Sequence, residues 1–269
     1  MDKAKTFLST RLREHFSEKE TSQLISILFE DIPHLADQQE SHLENISNRL
    51  ISGEPIPYVT GIAPFYGYFF EVNHAVLIPR PETEELVYCI EKFMRKQGLT
   101  KANILDVGTG SGCIPITLSK LFPAAKVMGI DVSKEALVVA NRNNEKLEAK
   151  VEFFIKDFLI DTTFEKANLP DILVSNPPYI PHNEEGLLGK NVLDYEPHLA
   201  LFVENDDPLI FYRKIFEFAL SLNKSIAVFL ECNEYNAKEV EALYKGHFEV
   251  ELIKDLQGKD RIVKALKGY

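Results

Sequence analysis

Through the first part of the chain, apolar positions repeat with the period of a helix. Phe7, Leu8, Leu12 and Phe16 form one stripe; Leu24, Ile25, Leu28, Phe29 and Ile32 form a second; Leu43, Ile46 and Leu50 form a third that closes at Gly53. Such spacing predicts amphipathic helices, each with one apolar face that must pack on a neighbour or a partner. Ser17 and Glu20 make a capping box in front of the second stripe. Residues 1–53 are therefore expected to form a small helical domain, placed where it could dock a substrate. Over residues 54–81 the texture changes to proline, glycine and aromatics, and a linker is expected. Within it, residues 68–72 and 75–78, joined by Asn73-His74, are expected to form a β-hairpin.

From residue 82 to 269 the pattern changes again. Apolar runs occur at 103–107, 126–130, 151–155, 171–175 and 225–230, with helical patterns between most of them. The runs are continuous rather than alternating, which predicts strands covered on both faces, hence a parallel sheet flanked by helices. Two further runs, 249–255 and 261–266, are separated only by a turn at Gln257-Gly258-Lys259, so an antiparallel pair is expected at one sheet edge.

Composition narrows the function classes. Hydrophobic residues at 45% and charged residues at 26% describe a folded globular chain, not a disordered or coiled-coil one. A formal charge of −11 repels a phosphate backbone on average, so DNA is not expected as a partner. No apolar stretch approaches membrane-span length, and MDKAKTFLSTRLREHF has no apolar core of a secretion signal. A cytoplasmic monomer without a membrane partner is expected. Cys89, Cys113 and Cys232 lie in apolar runs without C-x-x-C spacing, which predicts reduced thiols and no metal site.

The first chemistry-bearing segment is Asn103-Ile104-Leu105-Asp106-Val107 running into Gly108-Thr109-Gly110-Ser111-Gly112. Glycines at every second position let a strand turn tightly into a helix and let a ligand approach the backbone. The spacing is not the G-x-G-x-x-G of pyrophosphate-binding turns. It suits S-adenosylmethionine, which carries no phosphate and needs close contact to its aminoacyl and ribose parts. The next strand ends in Asp131, whose carboxylate can accept from both hydroxyls of a ribose. Capping of the following helix, the alternative role for Asp131, can be met by Ser133. The third strand ends in Asp157-Phe158, a carboxylate and a ring that can meet an adenine.

The fourth strand leads into Asn176-Pro177-Pro178-Tyr179. Methylation of a planar nitrogen needs both N–H hydrogens engaged and the lone pair turned toward the methyl group. The Asn176 side-chain oxygen can accept one hydrogen and the Pro177 carbonyl the other, with Asn176 bordering the cofactor as well. Pro177 and Pro178 stiffen that acceptor surface, and Tyr179 can lie against the planar group and exclude water. No strong base is required, because the sulfonium is already an activated leaving group.

Taken together, the chain resembles the HemK family of protein-(glutamine-N5) methyltransferases over nearly its whole length. The likeness rests on Gly53-Glu54-Pro55-Ile56-Pro57-Tyr58 with Gly61, on Leu77-Ile78-Pro79-Arg80-Pro81-Glu82-Thr83-Glu84, on the glycine turn and on Asn176-Pro177-Pro178-Tyr179-Ile180. Glu196-Pro197 with Ala200-Leu201, Tyr212-Arg213, and Asp255-Leu256-Gln257-Gly258 with Arg261 complete it. The resemblance implies an α/β fold: a class I S-adenosylmethionine-dependent methyltransferase, Rossmann-like and doubly wound with an antiparallel edge strand, preceded by a small helical domain. It implies that Gly108 to Gly112, Asp131 and Phe158 bind S-adenosylmethionine, that Asn176 to Tyr179 hold a glutamine, and that Pro79 and Arg80 lie near the substrate. The implied substrate is the glutamine of the Gly-Gly-Gln motif in class I peptide chain release factors. A ribosomal-protein glutamine, an adenine-N6 nucleic-acid target and a non-catalytic cofactor-binding module are the alternatives. One departure stands in the segment Leu230-Glu231-Cys232-Asn233, where the family has a glycine at the position of Asn233 and a glutamine at that of Asn236.

Overall fold

The computed structural model describes residues 3–203 and 207–269. Helices α1 (Lys3–Leu12), α2 (Glu18–Asp31), α3 (Glu40–Ile51) and α4 (Ile56–Thr60) share one apolar core built on Leu8, Leu12, Leu28 and Ile46. The Ser17–Glu20 capping box is present at the start of α2. Gly53, at φ +92°, turns the chain after α3. The helical unit does not stop there, because Ile56 and Val59 of α4 pack into the same core.

The hairpin in the following segment has a different register from the one expected. Strand β1 (Ile62–Phe65) pairs antiparallel with β2 (Tyr68–Glu71) around a two-residue turn, Tyr66-Gly67, with φ of +51° and +78°. Both signs fit the tight turn that matches strand twist. Residues 75–78 form no strand. The Asn73 side-chain oxygen accepts from Ala75 N–H at 2.9 Å and its carbonyl accepts from Val76 N–H at 3.1 Å, which curls the chain where an extended partner was expected.

The remainder is one mixed sheet with helices on both faces. In chain order it contains α5 (Pro81–Gln97), β3 (Asn103–Val107), α6 (Cys113–Leu121), β4 (Lys126–Asp131), α7 (Lys134–Lys146), β5 (Val151–Ile155) and β6 (Ile172–Ser175). A short excursion follows: β7 (Ile180–Pro181), α8 (Lys190–Tyr195), α9 (His198–Leu201) and β8 (Phe202–Val203). The chain ends with α10 (Ile210–Ser221), β9 (Ile226–Glu231), α11 (Ala237–Tyr244), β10 (Glu249–Lys254) and β11 (Asp260–Lys267). The sheet order is β10-β11-β9-β6-β3-β4-β5. The β9-β6-β3-β4-β5 part is parallel and the β10-β11 edge is antiparallel, as the sequence pattern predicts.

Alternation along the buried strands divides the core. Ile104, Val174 and Phe229 face α5 and α6, whereas Leu105, Leu173 and Val228 face α10 and α11. From β3 the chain winds outward through β4 and β5 on one side, then returns through β6 and β9 on the other. The reversal opens a crevice at the C-terminal ends of β3 and β6, where doubly wound sheets bind ligands. The small parallel pair of β7 and β8 with its two helices was not foreseen, since these elements are too short to carry a period. Among the described residues, no helix is long and apolar enough to cross a membrane.

Candidate active site

The crevice holds a cavity of about 560 Å³, within the range of small-molecule sites. It is lined by Gly108 to Ser111 after β3, Asp131 at the end of β4, Asp157 and Phe158 after β5, and Asn176 and Pro178 after β6. Pro79, Arg80 and Thr83 close another side.

The glycine turn is pinned to β4 by Gly108 N–H and Thr109 N–H, which both donate to the Ile130 carbonyl at 2.9 and 3.0 Å. Gly108 and Gly110 have φ of +76° and +54°, and a Cβ on either would meet no atom within 4 Å. Both therefore present bare backbone to open space on the cavity side. Gly112 differs from the expectation for it: it does not line the cavity. A Cβ there would lie 2.9 Å from Ile116 Cδ1 and 3.1 Å from Phe153, so this glycine serves close packing at the start of α6.

Asp131 joins the turn to the next helix. Its Oδ2 accepts from Gly110 N–H at 2.8 Å and its Oδ1 from Ser133 N–H at 2.9 Å. Ser133 caps α7, its Oγ accepting from Ala136 N–H at 3.1 Å, so the capping role does not fall to Asp131. A carboxylate has about four acceptor positions, so Asp131 keeps acceptor capacity for a ligand beyond its backbone donors. Burial pushes its pKa up, against the pull of the backbone donors. Asp157 Oδ1 accepts from Leu159 N–H at 2.9 Å, and Phe158 packs edge-on against Phe218 with ring centroids 5.5 Å apart.

Beneath the glycine turn, Asp106 is fully buried, with the Thr109 hydroxyl beside it pulling its pKa down against the larger effect of burial. Burial, with the nearby charge of Asp131, pushes Asp106 up to about 7. A folded pKa above the unfolded one means that the native state holds the extra proton. The associated stability is present below the ordinary Asp range and is lost as pH rises through about 7. The stability of Asp106→Asn relative to wild type should therefore improve as pH rises from about 5 to about 8 in urea titrations. A difference that stays flat over that range would contradict a buried carboxylate here.

After β6 the two prolines fix an alternation. Asn176 and Pro178 line the cavity, while Pro177 is buried and Tyr179 packs against the core on the α10 side. Neither Pro177 nor Tyr179 is among the residues that line the cavity. Burial pushes the Tyr179 phenol up to about 12, so it stays protonated. Ser175 Oγ donates to the Val107 carbonyl at 2.7 Å, and Asn176 Nδ2 donates to Thr83 Oγ1 at 3.1 Å. Arg80 pairs with the buried Glu196 at 2.5 Å, tying the segment before α5 to the excursion between β6 and α10.

Three partners had no role in the sequence reading: Thr83, Glu196 and Glu231. Each stood within a quoted motif, but their pairing crosses long stretches of chain. The Asn233 departure is accommodated. Its side-chain oxygen accepts from Tyr235 N–H at 3.1 Å and its carbonyl accepts from Ala237 N–H at 3.0 Å, starting α11. Its φ is not positive, so no glycine is required. The helical unit meets the cavity rim through His74, which lies 3.1 Å from Glu54 and 3.1 Å from the Tyr195 carbonyl. Glu54 is in turn held by Arg49.

Comparison with known proteins places this arrangement. The Methyltransferase small domain model matches residues 84–194. A release factor glutamine methyltransferase of Flavobacterium psychrophilum is 46% identical over 82% of this chain and 78% of its own length. One from Bacteroides thetaiotaomicron is 44% identical over 84% and 81%, respectively. The chain belongs to the release factor glutamine methyltransferase family. Solved structures add the fold: the hMettl16 catalytic domain in complex with MAT2A 3′UTR hairpin 6 superposes with a TM-score of 0.55 at 18% identity, covering 73% of this chain and 74% of that one. Membership in this family makes the protein a methyltransferase and the crevice at the ends of β3 and β6 its candidate active site.

Proposed function

We propose that this protein uses S-adenosylmethionine to methylate the side-chain amide nitrogen of the glutamine in the Gly-Gly-Gln motif of class I release factors. The observation that carries this reading is the meeting of two features in one cavity: the open glycine turn with Asp131, and Asn176 directly across the switch point. The residues fit the cofactor. Gly108 and Gly110 leave space where a side chain would stand, Asp131 keeps acceptor positions for ribose hydroxyls, and Phe158 offers a ring beside Asp157. The Asp131 carboxylate at the cavity wall favours a cationic ligand beside the turn.

When bound, S-adenosylmethionine supplies a methyl group already activated by its positive sulfur. What remains for the protein is positioning. Asn176 accepts a hydrogen of the substrate amide and turns the nitrogen lone pair toward the cavity, and Pro178 stiffens the loop that holds it. Arg80 and Pro79 border the same space and would contact the peptide around the glutamine. Tyr179 supports the turn from the core side. The helical unit of α1 to α4 would dock the release factor, with its link to the rim through His74 placing the partner over the cavity. The acidic chain acts as a cytoplasmic monomer on this reading, without binding DNA.

Mass spectrometry of release factors from cells with and without the gene tests the assignment. One added methyl group, confined to the glutamine peptide and dependent on the gene, is the expected result. Methyl on a ribosomal-protein glutamine instead would redirect the substrate, and methyl on adenine would overturn the reading.

A further inference from the structure

Asn176 presents a problem that shape cannot solve. Its amide has an acceptor end and a donor end of nearly equal size, and only the oxygen end can accept a hydrogen from a substrate amide. Packing alone does not choose between them. The Asn176 nitrogen faces Thr83 Oγ1 at 3.1 Å, and that hydroxyl in turn donates to Glu231 Oε2 at 2.7 Å. Thr83 and Glu231 are each only 3% exposed. Thr83 sits in the first turn of α5 and lines the cavity, while Glu231 is the last residue of β9. A hydroxyl has one proton. Once it is given to the carboxylate, the oxygen can only accept, and it selects the NH2 end of Asn176.

We propose that Thr83 and Glu231 are positioning residues for methyl transfer: by directing the Thr83 proton to the Glu231 carboxylate, they fix Asn176 with its carbonyl oxygen toward the substrate amide. This rests on the function proposed above. The two arginines nearest Glu231 do not compete for the role. Arg80 pairs with Glu196 at 2.5 Å, and Arg261 lies 3.2 Å from Asp255. Neither the glycine turn nor Asp131 takes part, so the relay acts on the acceptor substrate rather than on cofactor affinity.

The test compares Thr83→Val, which keeps the shape and removes the hydroxyl, with Thr83→Ser, which restores it. Assays are run at about pH 8, above the value of about 7 to which burial pushes Glu231, so that the carboxylate is ionised. Thr83→Val should lower kcat on purified release factor by on the order of 10- to 100-fold, with KM and cofactor affinity close to wild type. Thr83→Ser should recover kcat to within about threefold of wild type. In an Asn176→Ala background, adding Thr83→Val should change the rate by less than about threefold, because the residue it acts through is gone.

Additive losses in the double variant, or a serine variant as slow as the valine one, would overturn the relay. Cofactor affinity measured on each variant reports whether it has kept its fold. Failure of the functional reading would look different: wild-type protein would then transfer no methyl to release factor at all, whereas failure of the relay leaves wild-type turnover intact.

Discussion

Asn176→Ala is expected to reduce methylation of a release factor by about 10²–10³ in kcat, roughly 2.7–4 kcal/mol, while cofactor affinity stays close to wild type. The size follows from the loss of a preorganised acceptor aimed at a hydrogen whose engagement turns the lone pair outward. Asn176 lines the cavity between Thr83 and the glycine turn, so truncation removes the acceptor without disturbing Asp131. Asn176→Asp should also be slow, for two reasons. A carboxylate would have no proton to give Thr83, whose own proton is directed to Glu231. It would also favour the charged sulfonium ground state over the discharging transition state. Single-turnover methylation, with cofactor affinity measured separately, decides the matter. Turnover of Asn176→Ala within about threefold of wild type would show the turn to be structural only.

Asp131→Ala is expected to weaken S-adenosylmethionine binding by about 1.5–3 kcal/mol, or roughly 10- to 150-fold, the range for hydrogen bonds to a charged group. Two effects combine. The ribose acceptor is lost, and Gly110 N–H loses the carboxylate that holds it at 2.8 Å, so the turn loosens as well. Asp131→Asn should fall between wild type and alanine. It keeps one oxygen but sets an NH2 group against the N–H of either Gly110 or Ser133. Calorimetric titration with cofactor gives the comparison directly, and an unchanged alanine variant would remove Asp131 from the binding site.

The parts of the site that were legible in the sequence are those built from neighbouring residues. The glycine turn follows β3 because the glycines themselves permit the positive φ, and Asp131 was found because it ends a buried apolar run. The hairpin was misplaced because Asn73-His74 looks more like a turn than Tyr66-Gly67 does, and local composition does not show that Asn73 bonds to its own following backbone. Gly112 illustrates a further limit: its spacing matches a binding turn, yet its need for hydrogen in place of Cβ arises from Ile116, Phe153 and Ala140. Thr83 and Glu231 were invisible as a pair, since 148 positions separate them and only the packing of α5 against β9 brings them together.

The same separation has a consequence for the chain as it is made. Residues 103–176 contain β3 to β6, and with them the glycine turn, Asp131 and Asn176. Glu231 enters only with β9, which must emerge from the ribosome and add to the open side of β6. Synthesis runs from the N-terminus, and contacts between distant residues form only when both are present. In a growing chain the residues proposed to meet the methyl donor are thus made before the residue proposed to orient the acceptor amide, and on that reading the two halves of the site come together only once β9 has joined the sheet.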